Sequence, residues 1–171
     1  MCVIGFKAFN IDMTNRYGMR FELNKTYIAS GSIVWGNHGN GFHFCKNLED
    51  TFRYFDALNS EVLIGKVIGD GTVLNVCDEY YGYYDMYVSE TIQVTDIMSR
   101  HEIINYLYTM VDSFSIDRNK INRFISGFRL SEEEIDKLLE MLSEKDYSYM
   151  ENYLFNVNLY QRGKVKEFRN K

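Results

Sequence analysis

His43 and Cys45 could act together chemically, because side chains two residues apart on a strand project from the same face. An imidazole beside a thiolate can form a nucleophilic pair or half of a zinc site. Zinc requires three or four ligands, and the sequence offers no second pair at suitable spacing, although His38 and Cys77 could converge in space. We therefore predict no metal site and expect a packed histidine beside a buried thiol.

Tyrosine is concentrated in residues 78–87, whose sequence is DEYYGYYDMY. Tyrosine combines a rigid apolar face with a hydroxyl group and is enriched at recognition surfaces. We predict that Tyr80, Tyr81, Tyr83 and Tyr84 bind a protein or another macromolecule of unknown identity. The alternative is that they are the ordinary tyrosines of a sheet or hairpin.

The charge balance excludes several classes of protein. The 171 residues carry a formal net charge of −5, which disfavours nucleic-acid binding because phosphates must be neutralised by Lys and Arg. The three glutamates at 132–134 would oppose phosphates if the surrounding residues formed a DNA-binding helix pair. No apolar stretch approaches the ~20 residues of a membrane helix. Three cysteines without a CxxC pair are typical of reduced thiols, so we expect a cytoplasmic protein.

The first hundred residues show the short alternating patterns of β-strands. We predict strands over residues 3–9, 19–23, 27–35, 42–45 and 87–94. Gly69–Asp70–Gly71 predicts a tight hairpin between strands at 62–68 and 72–76. Asn47 is expected to cap one helix in this region, with Phe52, Phe55 and Leu58 on one face.

From Ser99 onwards the apolar spacing changes to the 3.6-residue period of helices. Ser99 with Glu102, and Ser131 with Glu134, have the spacing of capping boxes that begin helices. Another short helix is predicted over residues 118–126, and residues 147–160 fit either a helix or a strand pair. The pattern predicts an α+β fold with two parts: residues 1–98 form a curved, mainly antiparallel sheet with one embedded helix, and residues 99–171 form a helical segment.

Several blocks of the first hundred residues resemble an uncharacterised domain family of bacteriophage and other viral or mobile-element proteins. The blocks are GFKAF at 5–9, NKTYIASGSI at 24–33, GFHFCKNLEDTFRYFD at 41–56, KVIGDGTV at 66–73 and VSETIQV at 88–94. The resemblance implies an origin and a domain extent, and no established activity. If the protein is viral, it would act in the host cytoplasm.

The order of blocks is also similar, more distantly, to that of small ADP-ribosyltransferases. The strand Gly41–Phe44, followed by Arg53 and Tyr54, is similar to the central block of those enzymes, and Glu90 falls near the place of their late catalytic glutamate. Lys7 stands where they have His or Arg, and their Glu-x-Glu and Ser-Thr-Ser motifs are absent. The similarity implies catalytic roles for Lys7, His43, Tyr54 and Glu90, with NAD as substrate.

Two functions from different classes therefore stay open. The first is a viral or prophage-type accessory protein without a cofactor, which binds a host or viral macromolecule. The second is an ADP-ribosyltransferase-like enzyme that uses NAD. The absence of a complete catalytic motif and the density of tyrosine favour the first.

Overall fold

The computed structural model describes residues 2–36, 39–78, 84–113 and 117–143. The strands are β1 (Val3–Phe9), β2 (Thr26–Ile28), β3 (Phe42–Cys45), β4 (Leu63–Asp78) and β5 (Tyr84–Ile97). A 3-10 helix spans Glu49–Arg53, and the α-helices are α1 (Arg100–Asp112), α2 (Arg118–Gly127) and α3 (Glu132–Ser143). The chain divides between Ser99 and Arg100 into two compact units, here called the β domain and the helical unit.

The strands of the β domain form one antiparallel sheet that closes on itself. Their order is β2-β5-β3-β1-β4, and β4 also pairs with β5, so the sheet closes into a small barrel. Seven aromatic and aliphatic residues form its core: Phe9, Phe21, Phe44, Val67, Tyr87, Ile92 and Val94. The predicted α+β class is confirmed, and the curved antiparallel sheet is compatible with the barrel, whose closure the sequence did not predict.

The predicted hairpin at residues 69–71 is wrong, because β4 continues through it as one strand of 16 residues. Both halves of β4 pair with β5, and the register shifts between Asp70 and Val73. Gly71 has a positive φ of 78°, which places the irregularity in a conformation that glycine adopts without strain. Asp-Gly therefore marks a bulge here and not a turn.

Two other predicted strands are shorter than expected or missing. Residues 19–23 make only isolated bridges, from Arg20 to Thr14 and from Leu23 to Val94. In the segment predicted as a strand over 27–35, β2 ends at Ile28 and Gly31 has a positive φ of 86°. In the first segment Phe21 alone is buried, and in the second no residue of 27–35 is buried, so the apolar spacing of these segments does not reflect one covered face of a sheet.

The embedded helix is one short 3-10 helix, and its N-cap is Leu48, which makes no side-chain cap. The Asn47 side chain instead donates a hydrogen bond of 2.9 Å to the Asp50 carboxylate. Residues 49–52 are buried, and the segment packs against β1 and β3. The predicted cap at Asn47 is therefore wrong.

The helical unit begins at Arg100, directly after Ser99, and α2 begins at Arg118 as predicted. The capping box at Ser131 is confirmed: Glu134 N–H donates to Ser131 Oγ at 3.2 Å, and Ser131 N–H donates to Glu134 Oε2 at 2.7 Å. Arg100 donates to both oxygens of the same carboxylate, at 3.0 and 2.7 Å. This bidentate pair links the first residue of α1 to the first turn of α3.

Candidate functional site

A cleft of about 540 Å³ opens in the wall of the β domain. Its sides are β1, β3, the 3-10 helix and the two loops that carry Arg16 and Trp35. A cavity of this size is typical of sites that bind small molecules. We call this cavity the cleft, and its lining contains Lys7, His43 and Tyr54, three of the four residues to which the resemblance gave catalytic roles.

Glycines on two strands give β3 its place beside the cleft. A Cβ atom at Gly5 would lie 2.7 Å from the ring of Phe44 and 2.3 Å from the Cys45 carbonyl oxygen. A Cβ at Gly69 would lie 2.5 Å from the same ring. The Phe44 ring therefore occupies a slot that only glycine leaves open on β1 and β4, and it stacks on Tyr87 at 5.4 Å. This slot fixes the strand that carries His43.

Trp35 is held at the mouth of the cleft by a compact loop. The Asn40 side chain donates hydrogen bonds to the carbonyls of Ser30 and Ser32 at 2.5 and 3.0 Å. Gly39 packs so closely that a Cβ would lie 2.1 Å from the Val34 carbonyl oxygen. The Trp35 ring lies 5.4 Å from the His43 ring, and Trp35 is exposed enough for a further ring to stack on it.

Among the described residues, three cations line the cleft, namely Lys7, Arg16 and Arg53, and we call them the cation set. They are three of the eight Lys and Arg residues in the first hundred positions. Those positions also contain 12 Asp and Glu residues, yet no carboxylate of the described residues lines the cleft. The cleft is therefore cationic in a chain whose net charge is negative, which favours an anionic ligand.

The amino group of Lys7 lies at the floor of the cleft, where its Nζ donates a hydrogen bond of 2.5 Å to the His43 carbonyl. Burial lowers the pKa of Lys7 from 10.5 to about 8; the neighbouring Cys45 opposes this change, and the charge of Arg16 adds to it. Near neutral pH a measurable part of the population therefore carries the neutral amine.

His43 and Cys45 both line the cleft, and neither has the ionisation state of a nucleophilic pair. Burial and the charge of Lys7 lower the pKa of His43 below 6.5, so the ring is neutral at pH 7. Burial, with the nearby Asp50, raises the pKa of Cys45 far above its ordinary value, so the thiol keeps its proton. The described residues contain no group of three His, Cys, Asp or Glu side chains that could hold a metal ion.

Tyr54 and the aromatic residues around it complete one side of the cleft. The Tyr54 hydroxyl contacts the sulfur of Met86 at 2.5 Å, and the guanidinium of Arg53 lies 5.8 Å from the centre of the Tyr54 ring. In the loop before β2, the guanidinium of Arg16 lies 4.7 Å from the centre of the exposed Tyr17 ring. Each arginine of the cation set is thus paired with an aromatic face.

Glu90, the fourth residue of the predicted catalytic group, does not line the cleft. Its carboxylate accepts a hydrogen bond of 3.0 Å from the Thr72 backbone N–H, at the bulge of β4. Hydrogen bonds from the Thr72 backbone and side chain lower the pKa of Glu90. In this structure Glu90 therefore holds the irregular part of β4.

The predicted tyrosine surface lies mostly outside the described residues. Tyr80, Tyr81 and Tyr83 are not among them, and neither is the side chain of Tyr84, the first residue of β5. Binding of a macromolecule through these residues stays a prediction.

Several cleft residues were not predicted as functional: Arg16, Tyr17, Trp35, Arg53 and Phe55. Arg53 follows the buried residues of the 3-10 helix, and the exposed Arg16 lies in a polar turn. The sequence held one indication of the two arginines, namely the scarcity of basic residues in the first hundred positions. Where basic residues are few, their clustering at one place indicates a binding function.

The structure thus defines an α+β protein in which a small barrel carries a cationic, aromatic cleft. A family model described as a domain of unknown function (DUF7666) matches residues 3–100, and the chain belongs to that family. The matched residues cover the β domain and therefore the whole cleft. Comparison with curated proteins and with solved structures gave no match. No helix within the described residues is long and apolar enough to cross a membrane.

Proposed function

We propose that the β domain binds a small anionic ligand with a planar ring, and that the ligand class is the nucleotides. The observation that carries the proposal is the joint presence of the cation set and of exposed aromatic rings in a cleft without a described carboxylate. Arginine forms strong paired hydrogen bonds with phosphate oxygens. Nucleotides combine such phosphates with a flat ring.

The aromatic residues supply the second half of the argument. Stacking of one base on an aromatic side chain contributes about 1–3 kcal/mol. Trp35 and Tyr17 are exposed at the cleft, at 36% and 69% of their accessible surface, so each offers a face to a ligand. A ligand with only a phosphate would contact the cation set alone, and a ligand with only a ring would contact the aromatic residues alone, so each should bind more weakly than a nucleotide.

The test is a thermal-unfolding titration with five probes: ADP-ribose, NAD, AMP, adenosine and pyrophosphate. A ligand at 100 times its Kd stabilises the folded state by about 2.7 kcal/mol. We expect ADP-ribose, NAD and AMP to raise the Tm at lower concentration than adenosine or pyrophosphate. Unchanged Tm with all five probes at millimolar concentration would contradict the proposal.

A second candidate is the ADP-ribosyltransferase-like reaction on NAD. It is favoured by one observation, that Lys7, His43 and Tyr54 line the same cleft. The position of Glu90, outside the cleft lining, counts against it. Three further proposals come from the sequence. The resemblance supports a phage-type origin, the three cysteines without a CxxC pair support a cytoplasmic location, and the tyrosine-rich segment supports binding of a macromolecule.

Release of nicotinamide from NAD distinguishes this reaction from binding alone. Catalysis by Glu90 predicts that Glu90→Gln abolishes the release and changes the Tm by less than about 2 °C, since glutamine keeps an acceptor for the Thr72 N–H. We expect instead that the wild-type protein binds NAD without releasing nicotinamide. Chromatography of the reaction mixture decides between the two, and release that depends on Glu90 would establish the enzyme.

A further inference from the structure

The cation set contains two kinds of residue. Arg16 and Arg53 are exposed at the mouth, whereas Lys7 is half-buried at the floor. Water screens the exposed guanidinium groups, but the ammonium of Lys7 has lost part of its hydration. The Nζ contact to the His43 carbonyl is with a neutral group, so it does not balance the charge.

We propose that Lys7 is the anchor for the charged group of the ligand, and that its amine takes up a proton from solvent when that group binds. This inference rests on the proposed function and adds the residue that selects the anion. A phosphate oxygen beside Nζ would supply the negative charge that the described lining lacks, and it would favour the ammonium over the neutral amine. The step converts a free amine and a proton into an ammonium, with no other bond changed.

The groups around Lys7 keep one protonation state near pH 8, so Lys7 is the group whose protonation ligand binding changes. His43 is neutral above pH 7, Cys45 keeps its proton, and Arg16 stays charged at every accessible pH. Further charged groups lie around Cys45 on the 3-10 helix, namely Glu49, Asp50 and Arg53. The pKa of Lys7 is about 8, so about half of the ligand-free molecules have a neutral amine at pH 8.

The sign of the pH dependence follows from this. The ligand requires the ammonium form, which becomes rarer in the free protein above pH 8, so the Kd for ADP-ribose should rise by about fivefold between pH 8 and pH 9. At pH 6 the amine is already protonated, so binding there takes up almost no proton. At pH 8 we expect about half a proton per ligand bound.

Isothermal titration calorimetry with ADP-ribose in buffers of different ionisation enthalpy measures the proton uptake directly. Lys7→Met should abolish both the uptake and the rise in Kd, and weaken binding at pH 7 by about tenfold. Lys25→Met is the matched control, because Lys25 is exposed, pairs with Glu22 and does not line the cleft. It should leave the uptake and the Kd unchanged.

The wild-type pH series needs no variant, so the inference can be tested even if Lys7→Met does not fold. Binding of ADP-ribose with less than about 0.1 proton taken up at pH 8, and with equal Kd at pH 7 and pH 9, would refute the role of Lys7 and leave the proposed function intact. Failure of ADP-ribose, AMP and pyrophosphate to bind at any pH would refute both.

The folded protein offers an independent check on Lys7. A pKa that is lower in the folded state than in the unfolded state means that the unfolded chain binds more protons between pH 8 and pH 10.5. Lys7 should therefore make the wild-type protein more stable as the pH rises through this window. The Tm of the wild type relative to that of Lys7→Met should rise with pH from pH 8. The difference for Lys25→Met should stay constant up to about pH 9.5, because its pairing with Glu22 raises the pKa of Lys25 above 10.5.

Discussion

Replacing Arg16 and Arg53 together by glutamine should weaken the binding of ADP-ribose by about 100-fold, because each charge-assisted hydrogen bond to phosphate contributes about tenfold. Both arginines line the cleft, Arg16 from a loop and Arg53 from the 3-10 helix. Both are exposed, so the double substitution should leave the Tm of the free protein nearly unchanged. Isothermal titration calorimetry at fixed ionic strength measures the effect.

The control for this pair is Arg20→Gln. Arg20 belongs to the same domain and is exposed, and its guanidinium nitrogen lies 3.9 Å from a carboxylate oxygen of Asp12. It does not line the cleft. Its substitution should change the Kd by less than twofold. Adenosine is a second control, because it has no phosphate and should bind the double variant as it binds the wild type. A double variant that binds ADP-ribose within threefold of the wild type would contradict the role of the two arginines.

Phe44→Ala should lower the free energy of unfolding of the β domain by about 3–5 kcal/mol, the usual cost of deleting a buried phenylalanine ring. The ring is 2% exposed and stacks on Tyr87. Gly5 and Gly69 lie directly against it, and neither has a side chain that could fill the space. Native-state hydrogen exchange at amides of β4 and β5 measures the β domain separately from the helical unit.

The close packing of Gly69 against Phe44 also predicts that substitutions at these two positions have non-additive effects on the free energy of unfolding. Gly69→Ala alone should cost about 1–3 kcal/mol, because its Cβ would lie 2.5 Å from the Phe44 ring. In the Phe44→Ala background the same change should cost less, since the ring is gone and the close contact that remains is with Ser89 Oγ at 2.9 Å. Ile4→Ala, at a position that is 72% exposed, is the control and should have an effect within about 0.5 kcal/mol. If Phe44→Ala lowered the free energy of unfolding by less than about 1 kcal/mol, packing of the Phe44 ring against Gly5 and Gly69 would not be what stabilises the barrel.

The parts of the fold that local chemistry determines were predictable from the sequence. The capping box of Ser131 and Glu134 satisfies the first N–H groups of a helix within four residues, and it forms as predicted. β1 and β3 were also predicted with their observed bounds, since each is a short apolar strand next to turn residues. The three α-helices follow from the 3.6-residue period.

The features that depend on distant contacts were not predictable. Gly69–Asp70–Gly71 has the composition of a hairpin turn, and only the pairing of both halves of β4 with β5 makes it a bulge. Closure of the barrel depends likewise on pairing between strands that are distant in sequence, namely β1 with β4 and β3 with β5.

The candidate site was predictable in part. The resemblance to ADP-ribosyltransferases grouped Lys7, His43, Tyr54 and Glu90, and the first three line the cleft whereas Glu90 does not. Their roles are untested. Arg16 and Trp35 reach the same cavity from loops whose paths are set by hydrogen bonds such as those of Asn40. No local spacing in the sequence encodes that convergence.

The most direct test of the cationic cleft as a nucleotide site is a crystal structure of the full chain with ADP-ribose. The account predicts one ADP-ribose per chain, with its diphosphate beside Lys7, Arg16 and Arg53 and its adenine against Trp35 or Tyr17. Electron density for ADP-ribose elsewhere on the protein, with the cleft free of it at saturating concentration, would contradict the account.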